Sequence, residues 1–231
     1  MNRKPQASAA GGAGKLLPAL TQTALLTGFE PFGNERINPS WEAVQRLQDW
    51  RCGHTQVQTL KLSCVFGMAV DEIVRAVSQH RPALIICVGQ AGGSSGIQLE
   101  RVAINIDDAD IPDNAGHQPR DSIIRSDGPA AYFSTLPLRR IEQALREEDI
   151  PAAISNSAGT FVCNHLFYGL MHHLDLHGEP DRVRAGFIHL PYLPQQVAHA
   201  GTGNAPPSIA LETMIRGLRA AIRACTEWAP I

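Results

Sequence analysis

Residues Ala83–Val88 are apolar without a break and follow directly on Pro82. A run this short and this apolar is the mark of a strand buried on both faces, and such strands belong to parallel sheets with helices packed above and below. The flanking segments carry the same message. Ala24–Gly28 is another short apolar strand, closed by the loop Phe29-Glu30-Pro31-Phe32-Gly33. Asn38 and Pro39 supply an N-cap and a first-position proline for a helix running to about Trp50. Thr55–Leu62 alternates like a strand, and Val65–His80 has apolar residues at helical spacing. Beyond the central run, Ile97–Ile106 alternates again. Leu138–Glu148 reads as a helix, Ala153–Ser155 as a strand, Phe161–Leu176 as a helix, Arg184–Leu190 as a strand and Ser208–Cys225 as the closing helix. Strands separated by helices of this length predict a single three-layer α/β/α domain over residues 23–231, with a mostly parallel, mixed sheet. Residues 1–22, rich in Ala, Gly, Ser and Pro and without periodicity, are expected to form a disordered tail with no catalytic role.

Composition narrows the function. Hydrophobic residues make up 44% of the 231, enough for a substantial core. A net charge of −2 with only 18% charged residues argues against a nucleic-acid partner, which would demand a basic surface. No apolar run approaches the ~20 residues that cross a bilayer, so no membrane partner is expected. Nor does the N-terminus resemble a signal peptide: Arg3 and Lys4 are followed by the weakly apolar Ser8–Gly14, then by Lys15 and Pro18. Cys52, Cys64, Cys87, Cys163 and Cys225 are widely spaced, with no C-x-x-C pair. Reduced thiols in a cytoplasm are the economical reading. Gly89-Gln90-Ala91-Gly92-Gly93 lacks the G-x-G-x-x-G spacing of a dinucleotide site, and no cofactor is expected. His172, His173 and His177 lack the H-E-x-x-H pattern, and Gly178 ends their helix early, so no metal is expected either.

Three segments carry chemistry. In Ser157-Ala158-Gly159-Thr160-Phe161-Val162-Cys163-Asn164 a small-residue turn leads into a helix. With Thr160 as N-cap, Cys163 falls at the third helical position, where unpaired amides and the helix dipole favour a thiolate. Read on position alone, it is equally a buried, inert cysteine. Glu100 in the second segment shares a strand face with Val102, Ile104 and Ile106, and a carboxylate there needs a partner. That partner is either a surface arginine or a catalytic imidazole. His189 ends an apolar strand before the turn Pro191-Tyr192-Leu193-Pro194, where α/β sheets place functional groups; the alternative is a satisfied core histidine.

Taken together, these segments resemble the pyroglutamyl peptidase I (pyrrolidone carboxyl peptidase) family of cysteine peptidases. The likeness runs from about Leu25 to the final helix. It rests on Thr27-Gly28-Phe29-Glu30-Pro31-Phe32-Gly33, Asn38-Pro39-Ser40-Trp41, Gly89–Gly93, Glu100-Arg101-Val102-Ala103-Ile104-Asn105, Pro112-Asp113-Asn114, Ser157–Asn164 and Phe187-Ile188-His189-Leu190-Pro191-Tyr192. The resemblance implies Cys163 as nucleophile, His189 as general base and acid, and Glu100 as the residue orienting His189. It implies a pyroglutamyl pocket at Phe29, Phe32, Gln90, Ile111, Phe161 and Val162, with Asn38 nearby and aromatic walls sandwiching the ring. Peptides with an N-terminal pyroglutamate are the implied substrates, and a homo-oligomer, in its tetrameric form, the implied assembly. Two departures stand out: Ser94 where the family has Arg after the paired glycines, and Leu62-Ser63 where it has Leu-Pro. Arg101 is a candidate to supply the missing charge. Ser94 keeps two other readings open, a non-catalytic relative that binds pyroglutamyl termini and a thiol amidase of altered specificity.

Overall fold

The computed structural model describes residues 22–178, 182–198 and 205–227. In chain order its elements are β1 (Gln22–Phe29), α1 (Pro39–Val44) with a 3-10 turn at Gln45–Leu47, β2 (Arg51–Cys52), β3 (Thr55–Leu62), α2 (Met68–His80), β4 (Leu84–Gln90), β5 (Ile97–Glu100), β6 (Val102–Ile104), β7 (Ala131–Phe133), α3 (Leu138–Glu147), β8 (Ala152–Ser155), α4 (Val162–Leu176), β9 (Arg184–Leu190), α5 (Pro194–Val197) and α6 (Leu211–Thr226). Seven strands form one sheet in the order β2-β3-β1-β4-β9-β5-β8. β1 runs parallel to β3 and β4, β4 to β9, and β5 to β8, whereas β5 lies antiparallel to β9 and β2 to β3. β6 and β7 pair separately.

Strand alternation divides the core into two layers. Leu26, Ile86, Val88 and Ile188 face one way, against Val44 of α1, Ile141 of α3 and Leu218 of α6. Leu25, Ile85, Cys87 and Phe187 face the other, against Ile73 of α2 and Leu166 and Leu170 of α4. The structure is thus the expected α/β/α sandwich. α1 lies so close on β1 that a methyl group on Gly28 would come within 2.8 Å of the Ser40 backbone.

Several local expectations give way. Gln22 opens β1, one residue inside the expected tail; the rest of that tail lies outside the described residues. The helix capped by Asn38 passes into a 3-10 turn after Val44 instead of reaching Trp50. α2 starts at Met68, because Gly67 takes a positive φ of 74° that ends the preceding turn. α6 starts at Leu211, since Ser208 is held in a bridge to Tyr192. The stretch Ile97–Ile106 is two strands. At Arg101 the N–H donates to the Ser155 carbonyl and the carbonyl accepts from Ser134 N, so the ladder changes partners there. Ser63, in place of the family proline, donates from its N–H and its Oγ to the Glu72 carboxylate of α2. A proline there would lack the first of these donors.

Candidate active site

β9 and β5 meet antiparallel with Glu100 opposite Phe187 and Gln98 opposite His189, which puts all four side chains on one face of the sheet. There the His189 Nδ1 lies 2.8 Å from Glu100 Oε1. The pair is buried, with Glu100 2% and His189 6% exposed. An ionised carboxylate only accepts, so Nδ1 carries the proton and Nε2 is left with its lone pair as a base. Glu100 Oε2 has no hydrogen-bond partner among the described residues.

The parallel register sets Gly89 of β4 beside His189 on that same face. A methyl group on Gly89 would meet the Cys163 Sγ at 2.9 Å and the Phe187 ring at 2.8 Å, so only glycine lets the strand pass beneath the sulfur. Cys163 reaches this position as the second residue of α4. Phe161, not Thr160, is the N-cap, because the Thr160 hydroxyl is spent on the Asp108 carbonyl. No side chain caps the first turn of α4, leaving its amides free to stabilise an anion. Asn164, the next residue, locks the helix in place: its Oδ1 accepts from Ile104 N and its Nδ2 donates to the carbonyls of Ile104 and Ile106.

Burial works against the expected thiolate. Cys163 is half-buried and lines the cavity, and burial pushes its thiol well above its ordinary value; nearby Cys64, the Glu100 carboxylate and Cys87 push the same way. These oppose the pull of the helix dipole toward a thiolate. Alkylation of Cys163 by iodoacetamide should therefore climb about tenfold per pH unit up to and beyond the ordinary thiol value of about 8.5. A plateau in the labelling rate below that value would show a thiolate after all. Cys64, Cys87 and Cys225, deeper in the core, are pushed up to about 12 by burial.

Cys163, His189 and Glu100 open onto one cavity of about 360 Å³, which Phe32, Gln90, Ser94, Gln98, Ser157 and Phe161 also line. Among the described residues Glu100 is the only Asp, Glu, Lys or Arg along it. Phe32 and Phe161 are tilted rings 5.8 Å apart, touching each other, so they form one continuous wall and not two sides of a sandwich. Four anticipated pocket residues lie outside this lining. Phe29 is buried in the core near Phe187, with ring centroids 6.4 Å apart, and Val162 is fully buried behind the first turn of α4. Asn38 spends its side chain on the Ser40 amide and hydroxyl and on the Glu30 carbonyl, bracing the Phe29–Gly33 loop. Ile111 is 42% exposed, its tip beside Gly33.

Arg101 does not replace the missing family charge: it lines a separate surface cavity with Leu136, Arg139 and Ile154. The 172–177 histidines are engaged elsewhere, His172 with the Tyr132 hydroxyl and His177 with the His173 carbonyl. Gln98 was missed by the sequence reading, although its place two residues before Glu100 sets it on the same face.

Comparison with known proteins agrees with this geometry. A family model described as pyroglutamyl peptidase matches residues 22–228. A pyrrolidone-carboxylate peptidase of Cupriavidus necator is 56% identical over 202 residues, covering 87% of this chain and 91% of that protein. One from Pectobacterium carotovorum is 52% identical, covering 84% and 92%. The crystal structure of pyroglutamyl peptidase I from Bacillus amyloliquefaciens superposes with a TM-score of 0.84 at 46% identity, covering 88% of this chain and 94% of that one. A mutant pyrrolidone carboxyl peptidase from P. furiosus gives 0.86 at 40% identity, covering 90% and 100%. With the family model spanning nearly all of the described chain, and a thiol, an imidazole and a carboxylate meeting at one cavity, the chain belongs to the pyroglutamyl peptidase family of hydrolases.

Proposed function

We propose that this chain hydrolyses the amide bond after an N-terminal pyroglutamyl residue, with Cys163 as nucleophile, His189 as base and then acid, and Glu100 as the residue that orients His189. The observation that carries this is the buried Nδ1–Oε1 bond of 2.8 Å, set in the same cavity as the Cys163 thiol. As Sγ attacks the pyroglutamyl carbonyl, its proton passes to His189 Nε2. The imidazolium formed is held by Glu100, and the uncapped amides of α4 face the developing oxyanion. Collapse expels the peptide amine, which takes the proton from His189. Water, deprotonated by the same imidazole, then cleaves the thioester and regenerates the thiol.

The lining supports the choice of substrate. A free α-amino group or a glutamyl carboxylate would bring an unpaired charge into a cavity whose one carboxylate is already bound to His189. The pyroglutamyl lactam is uncharged and can lie along the Phe32–Phe161 wall. A non-catalytic binder is the less favoured reading, since it has no need of a thiol over Gly89 or of a buried, oriented imidazole. Release of a fluorescent amine from a pyroglutamyl amide, beside the matching prolyl and glutamyl amides, tests the proposal. Turnover confined to the first is expected, and none from any of the three would refute it.

The setting follows from the same reading. Among the described residues no helix is long and apolar enough to cross a membrane, and five unpaired cysteines suit a reducing cytoplasm. The chain acts there as a homo-oligomer; Ile123 and Phe133, both about two-thirds exposed, are apolar surface that self-association can cover.

Ser94 lines the cavity with one short hydroxyl where the family carries a guanidinium. Ser94→Arg would bring a permanent charge beside Glu100, whose Oε2 lacks a donor. The expected result is a higher kcat with KM little changed. A folded variant of equal or lower kcat would mean that this chain has no use for the charge.

A further inference from the structure

Gln98 stands next to His189 across the sheet. The strand order β4-β9-β5 and the pairing registers set Gly89, His189 and Gln98 side by side on one face. Cys163 Sγ lies over the first of these, so sulfur, imidazole and carboxamide follow one another across that face. Phe32, one half of the aromatic wall, follows β1, which lies on the other side of β4. The cavity therefore has two ends, the aromatic wall toward β1 and Gln98, Ser155 and Ser157 toward β5 and β8. Ser155 and Ser157 engage their hydroxyls within their own turn, with the Ser157 carbonyl and the Gly159 N–H. Gln98 is bound at one end only, by a contact of 3.3 Å to the Gly96 carbonyl. A carbonyl only accepts, so the Gln98 atom there is Nε2, and Oε1 is left without a protein partner among the described residues.

In the proposed reaction the acyl carbon joins Sγ, while the departing nitrogen takes its proton from His189. An imidazole that serves both lies between them, so the departing chain extends past His189 toward β5. One residue of extended chain spans about 3.3–3.6 Å and neighbouring strands lie about 4.7–4.9 Å apart, which brings the next backbone N–H within reach of Gln98. We infer that Gln98 is a specificity-determining residue for the leaving peptide: its Oε1 accepts from the first backbone N–H beyond the scissile bond, the one that follows the carbonyl of the leaving residue. The favoured substrates are then pyroglutamyl peptides of three or more residues, or capped dipeptide amides. Arylamides and dipeptide esters present no such N–H. A site built to bond a polar group rejects analogues lacking it more sharply than a site that reads size. The inference rests on the functional reading above and extends it to the far side of the scissile bond. No bond is made or broken at Gln98; it acts on how the leaving peptide is held.

The test compares two substrates of nearly the same shape, pyroglutamyl-alanine N-methylamide and pyroglutamyl-alanine methyl ester. The first carries the N–H and the second has an ester oxygen in its place. Release of the alanine derivative is followed for both. The wild type is expected to favour the N-methylamide on the order of tenfold in kcat/KM, the effect of one lost hydrogen bond with an oxygen left facing Oε1. In Gln98→Met, similar in length but without the acceptor, the ratio is expected to fall to within about twofold of one. A merely structural role would slow both substrates alike and leave the ratio standing. An undiminished ratio in folded Gln98→Met overturns the inference. So does a wild-type ratio near one, which needs no variant to fold, while turnover of both substrates leaves the functional reading in place. A wild type inert toward both substrates and toward a pyroglutamyl arylamide overturns that reading as well.

Discussion

Cys163→Ala is expected to lose turnover of pyroglutamyl amides to background, a fall on the order of 10⁴-fold or more, with its melting temperature close to that of the wild type. The sulfur sits over Gly89 at the start of α4, in the cavity that His189 also lines. Helix α4 does not depend on it. The locking contacts are made by Asn164, one residue on, and the buried stripe by Val162, Leu166 and Leu170. Removing one sulfur atom that borders an open cavity leaves those interactions in place. Cys163→Ser is expected to be nearly as inactive. A thiol already disfavoured as an anion by burial and by Glu100 marks a site that would resist an alkoxide far more strongly. Wild-type hydrolysis by either variant would remove Cys163 from the mechanism.

The second large effect belongs to the imidazole and its carboxylate. On the proposed mechanism His189→Ala removes both the base that takes the thiol proton and the acid that protonates the leaving amine, and a fall of about 10²–10⁴-fold is expected in kcat/KM. Because burial pushes the Cys163 thiol above its ordinary value, the loss should be relieved in part at high pH, where hydroxide does the deprotonation. Glu100→Gln is expected to be milder, roughly 10- to 150-fold, the worth of a charge-assisted hydrogen bond to the imidazolium. Its amide oxygen can still accept from Nδ1 at the 2.8 Å position and hold the ring. The order Cys163→Ala, His189→Ala, Glu100→Gln, from most to least severe, is therefore the expected signature in steady-state kinetics. Full activity in Glu100→Ala would return that residue to an ordinary buried ion pair.

Much of this arrangement is legible in the chain because each part has a local cause. Arg184–Leu190 and Thr55–Leu62 declare themselves by apolar content and alternation, and the structure places both strands at those residues. Asn38 is readable as a cap because the Asn-Pro pair has few other uses, and its Oδ1 does accept from Ser40 N. What escaped is set by tertiary partners. The break at Arg101 follows from hydrogen bonds to Ser155 and Ser134, far away in the chain, so an alternating stretch gave no sign of it. Thr160 looked like the cap of α4 on propensity, but Asp108 claims its hydroxyl. The state of the Cys163 thiol also depends on how deeply the sulfur is enclosed, which position in a helix does not report. The pocket shows the same division. Phe32, Gln90 and Phe161 line the cavity, whereas Phe29 and Val162 lie in the core beneath it.

The proposed reaction passes through a covalent intermediate at one sulfur. Mixing the enzyme with a pyroglutamyl ester, whose alcohol leaves faster than an amine, and quenching in acid within a single turnover should trap that species for peptide mapping by mass spectrometry. A pyroglutamyl thioester on the peptide that carries Cys163, absent from the Cys163→Ala protein, is the predicted result. Rapid release of free pyroglutamate with every one of the five cysteines unmodified throughout the time course would contradict it.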